Sequence, residues 1–471
     1  MRKRTKIVAT LGPSVNKASI FSKLIDEGLN VVRLNFSYGE HKSHKETIKM
    51  IRSVSFKKKE HIPIIQDLTG PKIRIGEIKG GTLKLKKGDI FTFTPKKEDD
   101  LFSSTVNYQG FFNDVFKGHS ILLDDGKIKM RAEKVIKGKK IVSKVICGGE
   151  LKSNKGVNLP DSNVSVGTLT NKDKKDVLFG IKQKVDFVAL SFVRSAKDVE
   201  GLRRIIKKNK GNSGIIAKIE TAEAVDDIEE IIKVSDGIMV ARGDLAVEIP
   251  TERVPTLQKK IVRKCQDSGR PVIIATQMLE SMTSSQTPTR AEVSDVANAV
   301  FDGTDAVMLS AETAAGSFPV EVISVMNKII KQVEGESRQR FDLRSSENGN
   351  KNVIDSITRS VVHIAHNIDA KAVVVLTNSG FTGRIISRHR SRLPILALSS
   401  DEETCRKLGL SFGCIPVFSP EIKTIEEAFS SVRKFCLKYE LAKSGERVVI
   451  AAGVPFDKHN INTNMISVEV I

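Results

Sequence analysis

The chain has 471 residues, 40% of them hydrophobic, with 76 Lys+Arg against 56 Asp+Glu and a formal net charge of +20. That length leaves room for several domains, and no apolar run reaches the ~20 residues that a membrane-spanning helix needs. The positive balance attracts anions, yet with no Trp and three Tyr the chain lacks the aromatic platforms of a nucleic-acid surface, so small phosphorylated molecules are the expected partners.

The lysine clusters Lys57 to Lys59 and Lys207 to Lys210 read as solvated helix ends. The start, MRKRTKIVATLG, passes from basic residues directly into a strand-like run without a signal-type apolar region or cleavage site, so a cytoplasmic protein is expected. The five cysteines are odd in number and scattered, without a CxxC pair, and read as reduced, mostly buried thiols.

Strand-like runs recur at Lys6 to Leu11, Val31 to Asn35, Pro63 to Asp67, Phe187 to Phe192, Gly214 to Glu220, Gly237 to Arg242, Pro271 to Thr276 and Ala306 to Ala311. Helix-period stretches separate most of them, at Ile20 to Glu27, His44 to Val54, Asp198 to Lys208, Val225 to Lys233, Thr256 to Ser268 and Ala291 to Asp302. An eightfold strand-helix alternation predicts an α/β fold of the (β/α)8 TIM barrel type, its two parts at 1–70 and 161–340. The long gap after Asp67 fills with short strands and turn signals such as Gly80-Gly81, Lys87-Gly88-Asp89 and Asp124-Asp125-Gly126, which predicts an inserted small all-β lid, a β-barrel over 71–160. A polar linker follows Gly335, and from 353 to 471 a C-terminal α/β regulatory domain is expected, with a helix through Asn367 and strands at Ala372 to Thr377, Ile395 to Ser399, Arg447 to Ala451 and Ser467 to Ile471.

The stretch Gly214 to Leu245 draws the most chemistry. Lys218, Glu220, Arg242 and Asp244 follow apolar runs and so collect at one edge of a parallel sheet, where α/β folds build active sites. Two carboxylates with room for water suit Mg2+, and an adjacent ammonium suits a transferring phosphoryl group. The same charges would also serve as an ion-pair network. The paired histidines His41/His44 and His363/His366 lack a third ligand and read as structural.

Long ordered blocks then decide among families: RTKIVATLGPS (Arg4 to Ser14), VVRLNFSYGEH (Val31 to His41), QDLTGPKIRIG (Gln66 to Gly76), KGVNLP (Lys155 to Pro160), AKIE (Ala217 to Glu220), VARGDL (Val240 to Leu245), ATQMLESM (Ala275 to Met282) and the run from Pro288 to Thr313. With these blocks the chain resembles pyruvate kinase over essentially its whole length. The resemblance implies transfer of the phosphoryl group of phosphoenolpyruvate to ADP, giving pyruvate and ATP at the last step of glycolysis. Another Mg2+-dependent phosphoenolpyruvate barrel would need no ADP site, and a non-catalytic basic anion-binding barrel would not need Lys218, Glu220, Asp244 and Thr276.

By that resemblance Glu220 and Asp244 hold Mg2+, for which Mn2+ is a substitute, Lys218 lies along the phosphoryl group and Arg33 bridges its oxygens. Gly243 and Asp244 meet the substrate carboxylate through backbone N–H groups left free at the start of a short helix, and Thr276, ending strand seven, also contacts it. Arg242 supports that loop. Thr276 and Ser310 are candidates for a hydroxyl and water relay to the enol carbon, or simply helix caps. Asn35, Arg74 and Lys155 match nucleotide positions, the last two at the hinges of the lid. Homotetrameric assembly is expected by analogy.

Two sites depart from the family pattern. The K+ ligands would be Asn35, Ser37, Asp67 and the carbonyl of Leu68, but Lys72 stands where K+-requiring members carry Glu, and Leu68 where they carry Thr. A lysine ammonium replaces a monovalent charge, so activity without K+ is expected. Tyr38 and Ala246 are milder departures. In the C-terminal unit the loop TNSGFTGR supplies Thr377, Ser379 and Thr382 as a cradle for a sugar-phosphate effector, or merely a turn with a helix cap, with Lys458 and His459 from a later segment.

Overall fold

Eight apolar runs become the strands of one closed parallel barrel. In the computed structural model, which describes residues 2–336, 353–455 and 462–471, they are β1 (Lys6–Leu11), β2 (Val31–Asn35), β3 (Ile64–Asp67), β4 (Phe187–Leu190), β5 (Gly214–Ile219), β6 (Gly237–Ala241), β7 (Val272–Ala275) and β8 (Ala306–Leu309). Their order is β1-β8-β7-β6-β5-β4-β3-β2, so sequence neighbours are barrel neighbours and β1 closes on β8 at Lys6↔Ala306. The strands after β3 stop one or two residues sooner than their apolar runs. Phe192 (φ 53) and Thr276 (φ 68) show why in two cases, because the chain there leaves extended geometry for the left-handed region.

The period of two along each strand sorts its side chains. Val8, Ile65, Ile216, Met239, Ile273 and Met308 pack together inside the barrel, while Ile7, Ala9, Ile215, Ala217 and Ile219 pack outward against the helices. Continuing the inward alternation past the last apolar layer brings Arg33, Asp67, Ser191, Lys218 and Glu220 to the C-terminal mouth. The helical ring follows the expected order with three differences. Asn171–Lys182 and Pro319–Glu336 are further helices, and the expected helix over Val225 to Lys233 breaks at Asp227 into Ala222–Asp226 and Ile228–Val234. The Asp227 carboxylate there accepts the Ala196 N–H at 2.9 Å. Both lysine clusters do end helices, His41–Lys58 and Ala196–Lys208, where a positive charge suits the helix dipole.

Between β3 and β4 lies a unit with its own core around Phe91, Phe93 and Phe111. Where a small β-barrel was expected, the strands form a six-stranded sheet and a two-stranded ribbon pairing Thr82–Leu85 with Gly149–Lys152, and one short helix, Phe111–Asp114, joins them. Gly80 and Gly81 take φ of 80 and 79 at the turn that enters the ribbon, a conformation few other residues adopt cheaply.

The C-terminal unit is a five-stranded sheet of β9 (Ala372–Leu376), β10 (Ile395–Ser399), β11 (Cys414–Phe418), β12 (Arg447–Ala452) and β13 (Met465–Val470) in the order β11-β10-β9-β12-β13, the last strand antiparallel. Strand β11, whose central Pro416 departs from an uninterrupted strand pattern, and the helices Glu402–Leu408 and Ile425–Lys438 were not anticipated. Leu410 from this unit is fully buried within the barrel's interior cluster, while the Phe412 N–H donates to Asp305 at 2.9 Å and Lys6 Nζ to the Cys414 carbonyl at 2.7 Å. The unit therefore plugs the N-terminal end of the barrel, opposite the charged mouth. Among the described residues Cys147 is exposed, the other four cysteines are buried, and all five are free thiols.

Candidate active site

At the C-terminal mouth, Arg33, Asp67 and Lys218 from three strands, Glu220 just beyond β5 and Asp244 from the helix after β6 form one charged cluster. Arg33, in β2, donates Nε to Asp67 Oδ2 at 2.6 Å; Lys218, next to last in β5, has its Nζ 3.4 Å from Asp67 Oδ1 and 2.7 Å from Glu220 Oε1. Asp67 and Glu220 side chains are each 1% exposed. Burial opposes the charge on Lys218, yet Asp67 and Glu220 outweigh it and hold the ammonium above its ordinary pKa. Burial likewise opposes the Asp67 carboxylate, but Lys218 and Arg33 together keep its pKa low. Glu220 comes out the other way. Burial and the like charge of Asp244 push its carboxyl up in spite of Lys218.

That asymmetry leaves room for a bound cation. The cluster holds one more carboxylate than cation, and the under-neutralised pair is Glu220 with Asp244, the two residues expected to hold Mg2+. Asp244 sits in the first turn of the Arg242–Glu248 helix. A hard divalent ion held by one or two carboxylates and completed by water suits such a pair.

The substrate-carboxylate loop differs in one respect from expectation. The Gly243 N–H is not free: it donates to Thr276 Oγ1 at 2.8 Å, and Thr276 donates in turn to the Ala275 carbonyl at 2.6 Å. A carboxylate entering here must replace a threonine hydroxyl as acceptor. Thr276 caps no helix. Ser310 is the N-cap residue of Ala311–Ala314, but its hydroxyl makes no capping bond; Glu312 Oε2 accepts the Ser310 N–H at 2.7 Å instead. Arg242 points away from the cluster into a two-pronged pair with Asp295 (2.6 and 2.6 Å) and donates to the Thr276 carbonyl at 2.8 Å. It supports the loop, as expected.

Three of the four oxygens expected to bind K+ already have partners within the protein. Asn35 Oδ1 accepts the Ser37 N–H at 3.0 Å, Asp67 is taken by Arg33 and Lys218, and the Leu68 carbonyl accepts from Ser191 Oγ at 2.8 Å. Lys72 lines a pocket of about 70 Å3 between lid and barrel, together with Asp244 and Glu248. Arg74 and Lys155 come side by side through the Arg74↔Gly156 bridge. Arg74 Nη1 donates to the Asn154 carbonyl at 2.9 Å, and Lys155 Nζ pairs with Asp124 at 2.7 Å.

Three contributors were not singled out from sequence. Ser191 Oγ accepts from Lys218 Nζ at 2.8 Å and anchors it to the Leu68 carbonyl; it lies two residues beyond inward-facing Ala189, so the strand period could have found it. Asp295 lies mid-helix in Arg290–Phe301 and gives no local signal. Glu248 is the last residue of the helix that carries Asp244 in its first turn, and accepts from Asn158 Nδ2 of the lid at 2.6 Å. The histidines are structural, His41 on Asp176 at 2.7 Å and His44 stacked on Phe36.

In the C-terminal unit Thr377, Ser379 and Thr382 line a cavity of about 250 Å3. The Gly380 N–H donates to Thr377 Oγ1 at 3.0 Å, and Thr382 and Thr463 share a hydroxyl bond of 2.7 Å. No Lys or Arg is among the described residues lining it, and Lys458 and His459 lie outside the described residues.

Residues 2–323 match the family model described as pyruvate kinase, barrel domain, and residues 355–469 the one described as pyruvate kinase, alpha/beta domain. The chain belongs to the pyruvate kinase family. It is 42% identical to the pyruvate kinase of Clostridium perfringens over 99% of this chain and 100% of that one. It is also 42% identical to that of Geobacillus stearothermophilus, over 100% of this chain and 81% of the other. A crystal structure of a pyruvate kinase from Cryptosporidium parvum superposes with a TM-score of 0.93 at 35% identity, covering 100% of this chain and 96% of the other. The reaction of the pyruvate kinase family, transfer of the phosphoryl group of phosphoenolpyruvate to ADP, is the function of this chain. No described helix is long and apolar enough to cross a membrane.

Proposed function

We propose that the Arg33, Asp67, Lys218, Glu220 and Asp244 cluster carries the phosphoryl transfer, with Lys218 as the group that neutralises charge on the phosphoryl oxygens in the transition state. The observation behind this is the placement of Lys218 Nζ, 2.7 Å from Glu220 Oε1 and buried. It is a fixed cation beside the metal-type carboxylates, at a mouth where preorganised charge is worth far more than in water. Mg2+ on Glu220 and Asp244 would supply Lewis-acid neutralisation of substrate oxygens when bound.

In this reading a terminal phosphate oxygen of ADP forms the new bond to phosphorus while the bond to the enol oxygen breaks, and Arg33 and Lys218 hold the phosphoryl oxygens. The resulting enolate takes a proton at its terminal carbon through the Thr276 and Ser310 hydroxyls and water, giving pyruvate. The Gly243 N–H exchanges the Thr276 oxygen for the substrate carboxylate. Asn35, Arg74 and Lys155 receive the nucleotide when the lid closes. The chain then divides into a barrel (1–70 and 161–340), a lid (71–160) and a regulatory unit (353–471), a reading supported by the lid's own apolar core and by two clusters confined to the C-terminal unit.

Turnover is proposed to be K+-independent, since the Asn35, Asp67 and Leu68 oxygens already accept protein hydrogen bonds or ion pairs and Lys72 brings an ammonium to the pocket between lid and barrel. A coupled assay with phosphoenolpyruvate, ADP and Mg2+ tests the core reading, and full activity in Lys218→Met refutes it. Near-total loss of rate in K+-free tetramethylammonium buffer refutes K+ independence. A sugar phosphate in the Thr377, Ser379 and Thr382 cavity, a homotetramer and a cytoplasmic location complete the proposal. The first is tested by titrating fructose 1,6-bisphosphate and a hexose monophosphate against phosphoenolpyruvate saturation, and absence of any shift refutes it.

A further inference from the structure

The junction between the barrel's N-terminal end and the C-terminal unit holds a second concentration of positive charge, far from the mouth. Arg270, from the loop before β7, and Arg384, Arg388 and Arg390, from the Phe381–Ser387 helix and the turn after it, line one small pocket. Two of the four are neutralised: Arg388 pairs with Asp355, and Arg390 with Asp305 at 2.6 Å. The other two have no carboxylate within ion-pair distance among the described residues. Arg270 donates only to the Lys233 carbonyl at 3.1 Å, and Arg384 only to the Ser379 carbonyl at 3.3 Å, a length at which little hydrogen-bond energy remains.

Ser411 supplies the second observation. It lines the same pocket, is 2% exposed, and its hydroxyl oxygen is buried without a hydrogen-bond partner. Unpaired buried polar groups are rare and call for a missing partner. Burial and the neighbouring Arg270 act against the charge on Arg384, and the field of Asp236, which forms no ion pair with it, offsets them only in part. Two guanidiniums without an ion-pair partner among the described residues and an unsatisfied hydroxyl around one pocket form a donor set with its acceptor missing.

We propose that this pocket is an anion site that takes a phosphate-type oxyanion, bridging Arg270 of the barrel to Arg384 and Ser411 of the C-terminal unit. Guanidinium forks match such an oxyanion with two parallel bonds each. The enclosed space is only about 10 Å3, enough for one water, so binding requires Arg384 to leave the Ser379 carbonyl and close over the anion. Because the ligands come from both units, occupancy fixes one against the other. Because Ser379 also lines the larger C-terminal cavity, release of its carbonyl links the two pockets.

The test uses the full chain and inorganic phosphate, titrated at constant ionic strength against chloride to about 50 mM, with thermal unfolding and calorimetry as readouts. Wild type is expected to show a saturable rise in unfolding temperature. Arg33→Gln, altered at the mouth, should keep that rise, and Arg270→Gln/Arg384→Gln should lose it. Arg384→Lys, which keeps the charge but not the fork, should weaken binding by about tenfold; this variant and Ser411→Ala decide the matter if the double variant does not fold. A hexose monophosphate and a nucleoside monophosphate run in parallel separate the sources. Tighter saturation by either assigns the site to a phosphorylated metabolite, and no gain over inorganic phosphate assigns it to the free ion. No saturable response in wild type, or an equal response in wild type, the double variant, Arg384→Lys and Ser411→Ala, overturns the proposal.

Discussion

Replacing Lys218 by Met separates its two roles. Without a metal, its ammonium offsets Glu220 and shares Asp67 with Arg33. Removal leaves Asp67 one partner and Glu220 none but the Phe192 N–H at 2.9 Å, in a position 2% exposed. Breaking a buried pair by deleting one member costs about 3–5 kcal/mol, because the other charge stays behind. At about 2–4 °C per kcal/mol for a domain of this size, the barrel of Lys218→Met should melt on the order of 10 °C below wild type in metal-free buffer. Mg2+ should return much of that loss, since the freed Glu220 and Asp244 carboxylates no longer share their field with an ammonium. The same ion should stabilise wild type less. The assay is thermal unfolding of both proteins across a Mg2+ titration, next to the turnover measurement, which should fall by at least about 10^3 if Lys218 supplies some 4 kcal/mol of transition-state stabilisation. Equal melting without metal, or equal Mg2+ shifts in the two proteins, would refute the reasoning even if turnover is lost.

Burial pushes the Glu248 carboxyl from 4.5 up to about 7, against the Asn158 bond that favours its ionised form. A raised acid pKa means stability that is present at low pH and declines as pH rises through about 7, by up to about 3 kcal/mol. Glu248→Gln should therefore flatten the pH dependence of unfolding between pH 5 and 8, and an unchanged slope counts against the assignment. Arg242→Lys loses the fork to Asp295 and the hold on the Thr276 carbonyl, where φ values of 68 at Thr276 and 55 at Gln277 need support. At about 1.5–3 kcal/mol for charged hydrogen bonds, the KM for phosphoenolpyruvate should rise roughly 10- to 100-fold, with Asp295→Asn giving a similar, non-additive effect; additive losses would separate the two residues. Leu410→Ala empties a fully buried position at the barrel's plugged end. It should cost about 2–5 kcal/mol in denaturant unfolding, and a loss below 1 kcal/mol would mean the plug is loosely packed.

The barrel was legible because its information is local. Apolar runs such as Lys6–Leu11 and Val31–Asn35 begin and end in the structure at the residues their pattern indicates, since buried parallel strands need continuous apolar chain and turns need Gly, Asp or Asn. The ordered motifs likewise named Lys218, Glu220 and Asp244 without knowledge of distance. Only the tertiary structure decided who neutralises whom. Asp67 reads from sequence as a K+ ligand, and the barrel's closure makes it a partner of Arg33 and Lys218. The Gly243 N–H reads as free, and β7 lying beside β6 gives it the Thr276 hydroxyl. Asp295, Ser191, Glu248 and the unpaired guanidiniums of Arg270 and Arg384 draw their meaning from residues tens to more than a hundred positions away. The physical reason is that burial and Coulomb energy depend on separation in space, whereas a sequence pattern records only which way each side chain points along its own strand or helix.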